Sequence, residues 1–157
     1  MAGFACERLL VVCVGNICRS PVAAALLRDV MPAAEIRSAG LAAVQGAGVF
    51  ALAARVAEEQ GLQLPEHNAR RLTLADCQWA EMILVMERNH LRIVHDMAPY
   101  CRGKTFLLGA ACGDLEIPDP YGKGIESFRA THQLLVNSVE AWRRLGENNK
   151  DRSGVMR

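Results

Sequence analysis

Short aliphatic runs alternate along this chain with longer segments in which apolar residues recur at helical spacing. Residues 9–12 form an uninterrupted aliphatic run, which predicts a strand buried on both faces of a sheet. Similar short runs predict further strands at residues 35–39, 81–86 and 104–108. The helical periodicity predicts helices at residues 21–30, 49–60, 88–97 and 125–145. One face of the last helix carries the apolar residues Phe128, Leu135, Val139 and Trp142.

The alternation of strands and helices predicts an α/β fold with one open, parallel, four-stranded sheet and helices on both of its faces. In the expected strand order 2-1-3-4, the direction of winding reverses after the first strand. The carboxyl end of that strand is then the topological switch point, where open α/β sheets bind ligands. We expect residues 1–147 to form this single domain, and the polar, aperiodic residues 148–157 to be a disordered tail.

Composition and charge exclude several classes of function. The chain has 157 residues, 51% of them apolar, which is ordinary for one globular domain. A formal net charge of +1 gives no basis for a nucleic-acid footprint or for attraction to an acidic membrane. The N-terminal residues lack the basic stretch of a signal peptide, and no apolar run is long enough to span a bilayer. We therefore predict a cytoplasmic protein with no nucleic-acid partner and no membrane insertion; its oligomeric state is open, and a monomer is favoured.

The six cysteines are consistent with a reducing compartment, because a chain of this length does not need disulfides to hold its core together. The cysteines and histidines also lack the Cys-x-x-Cys and His-x-x-x-His spacings of zinc sites. His90 and His95 are expected on the surface of one helix. We therefore predict neither a metal nor another cofactor.

The segment that follows the first strand has the composition of an anion-binding turn. Residues 13–21 read CVGNICRSP, in which Ser20 suits the N-cap and Pro21 the first position of a helix. The intervening residues must turn tightly, and Gly15 and Asn16 best tolerate a positive φ. Successive amides in such a turn point inward beside the positive end of the helix dipole, which makes a site for a dianion. These amides belong to Val14, Gly15, Asn16, Ile17 and Cys18.

We call residues 13–19 the phosphate loop, because they also carry groups suited to phosphoryl transfer. The helix dipole and Arg19 favour the thiolate form of Cys13, which is a good nucleophile and leaving group at phosphorus. The planar guanidinium of Arg19 can hold two phosphate oxygens at once. Ser20 can donate a hydrogen bond to the Cys13 sulfur. A lone cysteine at a strand end is more often a small buried residue, but this spacing favours a covalent phosphocysteine mechanism.

A second candidate for the chemistry lies in a long loop before the last helix. Residues 109–124 contain four glycines and two prolines, and loops of this length are commonly functional. Asp119 in this loop can deliver a proton to a leaving oxygen and later accept one from water. Taken alone, its Asp-Pro-Tyr sequence indicates only a turn, and Asp114 and Glu116 are competing carboxylates.

These motifs together resemble one known family. Residues 11–27, VVCVGNICRSPVAAALL, are similar to the signature of the low-molecular-weight protein tyrosine phosphatases. Further similar segments cover most of residues 7–146; they are Ser-Ala-Gly at 38–40, His-Asn-Ala-Arg at 67–70 and IPDPY at 117–121. The resemblance implies hydrolysis of protein phosphotyrosine without a cofactor. It implies Cys13 as nucleophile, Arg19 and Ser20 as loop groups, and Asp119 as general acid.

The resemblance also implies roles outside the loop. His67 is similar to the family histidine that hydrogen-bonds the phosphate loop, and the resemblance implies that it reaches the side chains of Asn16 and Ser20. Tyr121, Leu41 and Val44 are implied as walls of a cleft that is deep enough to favour phosphotyrosine over phosphoserine. From the residues alone, Leu41 and Val44 are equally consistent with ordinary packing.

Residues 86–91 and 97–109 resemble the bacterial branch of the family, whose members oppose autophosphorylating tyrosine kinases in capsule and exopolysaccharide export. The implied partner is a phosphotyrosine-bearing protein, for which such a kinase is a candidate. This assignment is an analogy, since nothing in the catalytic residues demands it.

Two other functions remain open at this point. Arsenate reductases linked to thioredoxin have the same fold and a similar loop, but they need two further cysteines near residues 77–88, where only Cys77 occurs. A non-catalytic phosphate-binding module is expected to have lost the thiol or the acid, and this chain keeps both.

Cys18 is a candidate for redox control, because it lies within the loop five residues from Cys13. A sulfenic acid on Cys13 could condense with its thiol before irreversible oxidation occurs. The alternative is a small residue that fills the loop, since closeness in sequence does not guarantee disulfide geometry.

Overall fold

The computed structural model describes residues 6–155, without the side chains of residues 149–155. Its strands are β1 (Arg8–Cys13), β2 (Glu35–Gly40), β3 (Met82–Val85) and β4 (Thr105–Leu107). They form one sheet in the order β2-β1-β3-β4, and every neighbouring pair is parallel. The predicted sheet and strand order are therefore confirmed. β1 is a central strand, so its carboxyl end lies between the ends of β2 and β3.

The helices are α1 (Arg19–Val30), α2 (Ala51–Glu59), α3 (Leu74–Trp79), α4 (Arg88–Met97) and α5 (Ile125–Val155). Short 3-10 segments cover Pro99–Lys104 and Ala110–Cys112. The sequence analysis missed α3, whose six residues are too few to establish a period. A capping box begins this helix, since the Thr73 hydroxyl accepts from the Asp76 amide while Asp76 accepts from the Thr73 amide.

Helices cover both faces of the sheet, as the alternating pattern predicted. On one face, Leu9 and Val11 pack with buried residues of α1, α2 and α5. On the other face, Leu10 and Val12 pack with residues of α3 and α4. The apolar stripe of α5 is buried as predicted, because Phe128, Leu135, Val139 and Trp142 are at most 8% exposed.

Four local predictions are wrong. Ser20 does not cap α1, since Cys18 is the N-cap residue and Ser20 lies inside the helix with its hydroxyl bonded elsewhere. The last helix does not end at residue 145 but continues to Val155, and its C-terminal stretch contains no proline that would end it. The segment expected as a disordered tail is thus helical over residues 148–155. His90 is buried rather than at the surface, with 3% of its area exposed.

Two expectations concern residues beyond the described range. Residues 1–5 of the N-terminal segment, and residues 156–157 of the expected tail, lie outside it. Between residues 6 and 155, the helices all fall short of the length and apolar character that crossing a bilayer requires.

Candidate active site

The phosphate loop connects the carboxyl end of β1 to the N-terminus of α1. At that end of the sheet, Cys13 is in register with Gly40 of β2. The loop also bonds to the segment after β2, since the amides of Leu41, Ala42 and Val44 donate to the carbonyls of residues 13–15 at 2.9–3.1 Å. These bonds engage the loop carbonyls on the side that faces β2. Because the loop follows the carboxyl end of β1, it lies at the predicted topological switch point.

The amides of the loop are the feature that makes it an anion site. Within residues 6–155, the backbone N–H groups from Val14 to Arg19 donate no hydrogen bond. Adjacent unpaired amides in a tight turn at a helix N-terminus form a concave site with positive potential. A bound tetrahedral oxyanion would satisfy these donors, as happens at other helix N-termini.

Asn16 holds the loop in shape. Its φ of 57° is left-handed, as predicted, whereas the other predicted position, Gly15, has no positive φ. The fully buried Asn16 amide donates to Ser20 Oγ at 2.7 Å and to Ser38 Oγ at 3.0 Å. Its Oδ1 accepts from the Arg70 amide at 3.0 Å. One buried side chain thereby fixes the loop to α1, β2 and the segment before α3.

His67 supports the same residue from outside. Its Nε2 lies 2.6 Å from the Asn16 carbonyl oxygen, so Nε2 carries the proton and donates. The histidine therefore contacts the loop, but it does so through the backbone carbonyl of Asn16 and not through the side chains of Asn16 and Ser20 that the resemblance implied.

Close backbone approach makes a glycine necessary at position 40. A Cβ atom added there would lie 2.5 Å from the Val14 carbonyl oxygen and 3.0 Å from Asn16 Cβ. Because no rotamer change could relieve a contact with a backbone oxygen, a larger residue would displace the loop.

Cys13 and Ser20 are neighbours at the base of the loop. The Cys13 side chain is buried, and its Sγ lies 3.0 Å from Ser20 Oγ. Because the Ser20 oxygen already accepts a hydrogen bond from Asn16, its own proton is available to the sulfur. A hydroxyl donor at this position stabilises the sulfur as a thiolate.

Arg19 is buried at 1% exposure and is held by three groups from distant parts of the chain. Its Nη1 donates to Glu87 Oε1 at 2.5 Å and to the Ile117 carbonyl at 2.8 Å. Its Nη2 lies 3.6 Å from Asp119 Oδ2. Sequence reasoning missed Glu87; the available signal was its position two residues after β3, at the same sheet edge as Cys13.

The structure brings Asp119 to the loop and keeps the competing carboxylates away. Asp119 is 44% exposed, and its Oδ1 accepts from the Tyr121 amide at 3.0 Å. Glu116 accepts instead from the Arg88 amide at 2.9 Å, and Asp114 lies in a left-handed turn. Of these three acids, Asp119 is the one that pairs with Arg19.

The predicted cleft walls fall into two groups. Tyr121 is 58% exposed, and its ring packs edge-on against Phe50 at a centroid distance of 5.2 Å. Phe50 in turn stacks on Phe128 of α5, a support that sequence reasoning missed. Val44 is 51% exposed and lies over Gly15, within about 3.8 Å of where a Cβ would project.

Leu41 is placed differently from the other two wall residues. It is half-buried and packs against the core cluster formed by Leu10 and Val12. This placement favours the ordinary packing role that the sequence left open for it.

Cys18 is buried behind the loop, where it lines a small cavity with Val22 of α1 and Leu135 of α5. Burial, together with the negative charges of Asp119 and Cys13, raises the pKa of Cys18 to about 12. All six cysteines are free thiols. Among the described side chains, which are those of residues 6–148, no three His, Cys, Asp or Glu residues form a group that could hold a metal ion.

Comparison with known proteins identifies the family. The family model of the low molecular weight phosphotyrosine protein phosphatases matches residues 8–152. The chain belongs to this family. The resemblance on which the sequence analysis relied is confirmed, and with it the predicted class of enzyme.

Named relatives of this phosphatase include bacterial enzymes of the expected branch. The low molecular weight protein-tyrosine-phosphatase Wzb of Escherichia coli is 45% identical over 136 residues, covering 87% of this chain and 92% of the relative. The solved structure of Vibrio vulnificus Wzb in complex with benzylphosphonate is 39% identical and superposes with a TM-score of 0.85, covering 88% of this chain and 97% of its own.

The family fold also serves another phosphorylated amino acid. The YwlE arginine phosphatase of Geobacillus stearothermophilus is 33% identical to this phosphatase, with a TM-score of 0.85 and coverage of 93% of this chain and 96% of its own. The choice among phosphorylated amino acids therefore depends on the residues that line the mouth of the site.

Proposed function

We propose that this enzyme hydrolyses phosphotyrosine in proteins through a phosphocysteine intermediate on Cys13. The observation that supports this best is the row of unpaired loop amides beside a buried thiol, with Arg19 and Asp119 at its edge. The amides and Arg19 bind the three nonbridging oxygens of the phosphoryl group, so that phosphorus lies above the sulfur.

In the first step, the Cys13 thiolate attacks phosphorus and the sulfur–phosphorus bond forms while the bond to the tyrosyl oxygen breaks. Asp119, in its protonated form, gives its proton to that oxygen, and tyrosine leaves as the neutral phenol. The loop amides and Arg19 stabilise the charge that spreads over the equatorial oxygens in the transition state. Glu87 and Ile117 occupy Nη1, so the substrate would bind to Nε and Nη2, and at Nη2 its oxygen would take the place of the Asp119 carboxylate, which lies 3.6 Å away.

In the second step, the Asp119 carboxylate takes a proton from a water molecule whose oxygen attacks phosphorus. The phosphorus–sulfur bond breaks, inorganic phosphate leaves, and the electron pair returns to Cys13. The Ser20 hydroxyl, 3.0 Å from the sulfur, stabilises this leaving thiolate. Asp119 is exposed enough to meet both the substrate oxygen and solvent water.

The mouth of the site favours an aromatic leaving group. Val44 and Tyr121 offer exposed apolar and aromatic surface, and Tyr121 is held in place by the stacked rings of Phe50 and Phe128. An arene gains from contact with such walls, whereas the short phosphoserine side chain cannot reach them. A phosphoarginine guanidinium would lose water from its N–H donors against the same apolar surfaces.

The physiological proposal is that the enzyme opposes a bacterial tyrosine kinase of exopolysaccharide export in the cytoplasm. Its support is the similarity to enzymes named Wzb, together with the segments at residues 86–91 and 97–109. A monomeric enzyme fits this proposal, because every group of the proposed site comes from one chain.

The arsenate reductase alternative receives no support from the thiols. Cys77 packs against Cys101, which comes from a different element, and both are fully buried. They also belong to the core cluster on the sheet face opposite to Cys13. A reductase would need thiols that reach the loop and then a protein reductant.

Four assays run side by side test the proposal: phosphate release from phosphotyrosine, phosphoserine and phosphoarginine peptides, and reduction of arsenate with thioredoxin as the electron donor. We expect phosphate release from phosphotyrosine alone. Cys13→Ser should abolish turnover while inorganic phosphate still binds. Trapping of phosphate on a residue other than Cys13, or hydrolysis by Cys13→Ser, would disprove the mechanism; binding without turnover by the wild type would favour the binding module.

A further inference from the structure

A buried histidine lies behind Arg19 and has no part in the mechanism above. His90 belongs to the first turn of α4, and only 4% of its side chain is exposed. Its Nε2 lies 3.7 Å from Glu87 Oε1, the same oxygen that accepts the Arg19 Nη1 hydrogen bond. Glu87 Oε1 therefore lies between the guanidinium and the imidazole.

The other ring nitrogen, Nδ1, lacks a hydrogen-bond partner among the described residues. His90 Nδ1 is buried and makes no hydrogen bond to any residue of the described range. A buried polar atom without a partner costs free energy, so a residue that serves only to fill space would be better replaced by leucine. The position of Nε2 near Glu87 gives a reason why a histidine occurs at position 90.

The surroundings fix the charge and the tautomer of this ring. Burial, reinforced by the positive charge of Arg19, lowers the pKa of His90, although Glu87, Asp119 and Glu116 act in the opposite direction. The ring is therefore neutral at pH 7. A proton on Nδ1 would bury an N–H without an acceptor and would turn the Nε2 lone pair toward a carboxylate. The proton thus belongs on Nε2, where its dipole faces Glu87.

A neutral donor suits this position better than a charged one. The Glu87 side chain makes no capping hydrogen bond to α4, although Glu87 is the N-cap residue and its backbone carbonyl accepts from the His90 and Leu91 amides. Its 32% exposed side chain could otherwise turn toward solvent. The N–H dipole of His90 stabilises the carboxylate where it is, and it does so without competing as a cation with Arg19.

We propose that His90 is a positioning residue for phosphate binding: through its Nε2–H group it keeps Glu87 Oε1 against Arg19 Nη1, and thereby fixes the plane of the guanidinium at the phosphate loop. The inference rests on the proposed function only in taking residues 13–19 as a phosphate site. Loss of His90 should misplace Arg19 by a fraction of an ångström to about 1 Å, which is enough to weaken oxyanion binding and slow the reaction substantially.

Three substitutions separate this role from simple packing. The side-chain amide of His90→Gln reaches the place of Nε2, that of His90→Asn the place of Nδ1, and His90→Leu fills the space without a donor. We expect His90→Gln to keep the affinity for inorganic phosphate and kcat within about threefold of the wild type. His90→Asn and His90→Leu should each weaken phosphate binding and lower kcat/KM by about 10- to 100-fold.

The tautomer of His90 can also be measured on the wild-type enzyme, so this test does not depend on whether a variant folds. Nitrogen-15 NMR of the histidine rings at pH 7 should show His90 neutral and protonated on Nε2, with and without inorganic phosphate. A proton on Nδ1, His90→Leu with wild-type phosphate affinity, or His90→Gln as impaired as His90→Leu would each overturn the inference. If His90→Leu does not fold, the NMR result and the comparison of His90→Gln with His90→Asn decide whether the inference holds.

The same experiment distinguishes this inference from the proposed function. A wild type that binds inorganic phosphate and follows the expected order of variants, yet does not hydrolyse phosphotyrosine, supports the inference and defeats the proposed substrate. A wild type that hydrolyses phosphotyrosine while the three variants bind phosphate alike defeats the inference alone.

Discussion

Ser20 Oγ lies 3.0 Å from Cys13 Sγ and 2.7 Å from the side-chain amide nitrogen of Asn16. The hydroxyl therefore accepts from one neighbour and has its proton free for the other. If the Ser20 hydroxyl capped α1, as predicted, the Cys13 sulfur would lack this donor.

Replacing Ser20 by alanine should slow the breakdown of phosphocysteine more than its formation, because the departing thiolate loses its hydrogen bond. A hydrogen bond to a charged group is worth about 1.5–3 kcal/mol, so kcat should fall by about 10- to 100-fold. Rapid-quench kinetics should show a burst of phenol release followed by slow turnover.

Ser38→Ala is the matched control for this change, since Ser38 is the other acceptor of the Asn16 amide and has no bond to the sulfur. It should leave the ratio of burst to turnover near that of the wild type. An absent burst in Ser20→Ala, or an equal burst in both variants, would contradict the assigned role.

Asp119→Asn should lower the rate by about 10²- to 10⁴-fold with phosphotyrosine, whose phenol is a poor leaving group without a proton. The loss in the first step should be much smaller with an activated aryl phosphate that leaves as its anion. Asp114→Asn is the control, because Asp114 lies in the same loop in a left-handed conformation that asparagine also adopts. Equal losses with both substrates would show that Asp119 is not the acid.

Asp76 should stabilise the fold in a pH-dependent way. Burial by itself raises the pKa of Asp76, but hydrogen bonds from Arg70 and Thr73 outweigh it and leave the pKa below its ordinary value. Its contribution is therefore complete above the unfolded-state pKa of about 3.9 and is lost as the pH falls through the lower folded-state value. Since Arg70 is partly exposed, we expect Asp76→Asn to cost about 1–3 kcal/mol at pH 7.

Urea unfolding of the wild type and of Asp76→Asn at pH 7, 5 and 3 measures this contribution. The difference between the two proteins should be the same at pH 7 and 5 and smaller at pH 3. Asp96→Asn, at an exposed position of α4, should cost little at any of these pH values. A difference that stays constant down to pH 3 would refute the linkage.

Cys18 should protect Cys13 from peroxide by forming a disulfide with it, and this disulfide should form slowly at neutral pH. Peroxide oxidises the Cys13 thiolate to sulfenic acid; the Cys18 thiolate then attacks that sulfur, the disulfide forms and hydroxide leaves. With its pKa raised to about 12, Cys18 is largely protonated at pH 7. The rate of linkage should therefore rise between pH 7 and pH 9, because the thiolate is the attacking species.

Peptide mapping and recovery of activity with dithiothreitol test this prediction. Cys18→Ser should be active when reduced but recover poorly after oxidation, whereas Cys112→Ser, outside the site, should behave as the wild type. No linkage between Cys13 and Cys18, together with equal recovery of all three proteins, would rule out the protective role.

The sequence by itself determined the fold, because the hydrophobic patterns that specify strands and helices are local and recur along the chain. The uninterrupted aliphatic run of β1 could be buried only as a central strand, and the periodicity of α4 predicted its bounds of Arg88–Met97. The phosphate loop was predicted for the same reason, since Cys13, Asn16 and Arg19 lie within one turn. Residue spacing inside a single turn is fixed by covalent geometry.

Only the tertiary structure decided what holds these groups in place. Arg19 meets Glu87 across 68 residues of sequence and the Ile117 carbonyl across 98, and no local pattern encodes such pairs. The contact between Ser20 and the Cys13 sulfur was predicted, but the place of Ser20 inside α1, beside the buried Asn16 amide, was not. His90 was expected at the surface because the periodicity of its helix says nothing about what packs against it. Burial and long-range pairing depend on how distant elements meet, which the chain settles only when it folds.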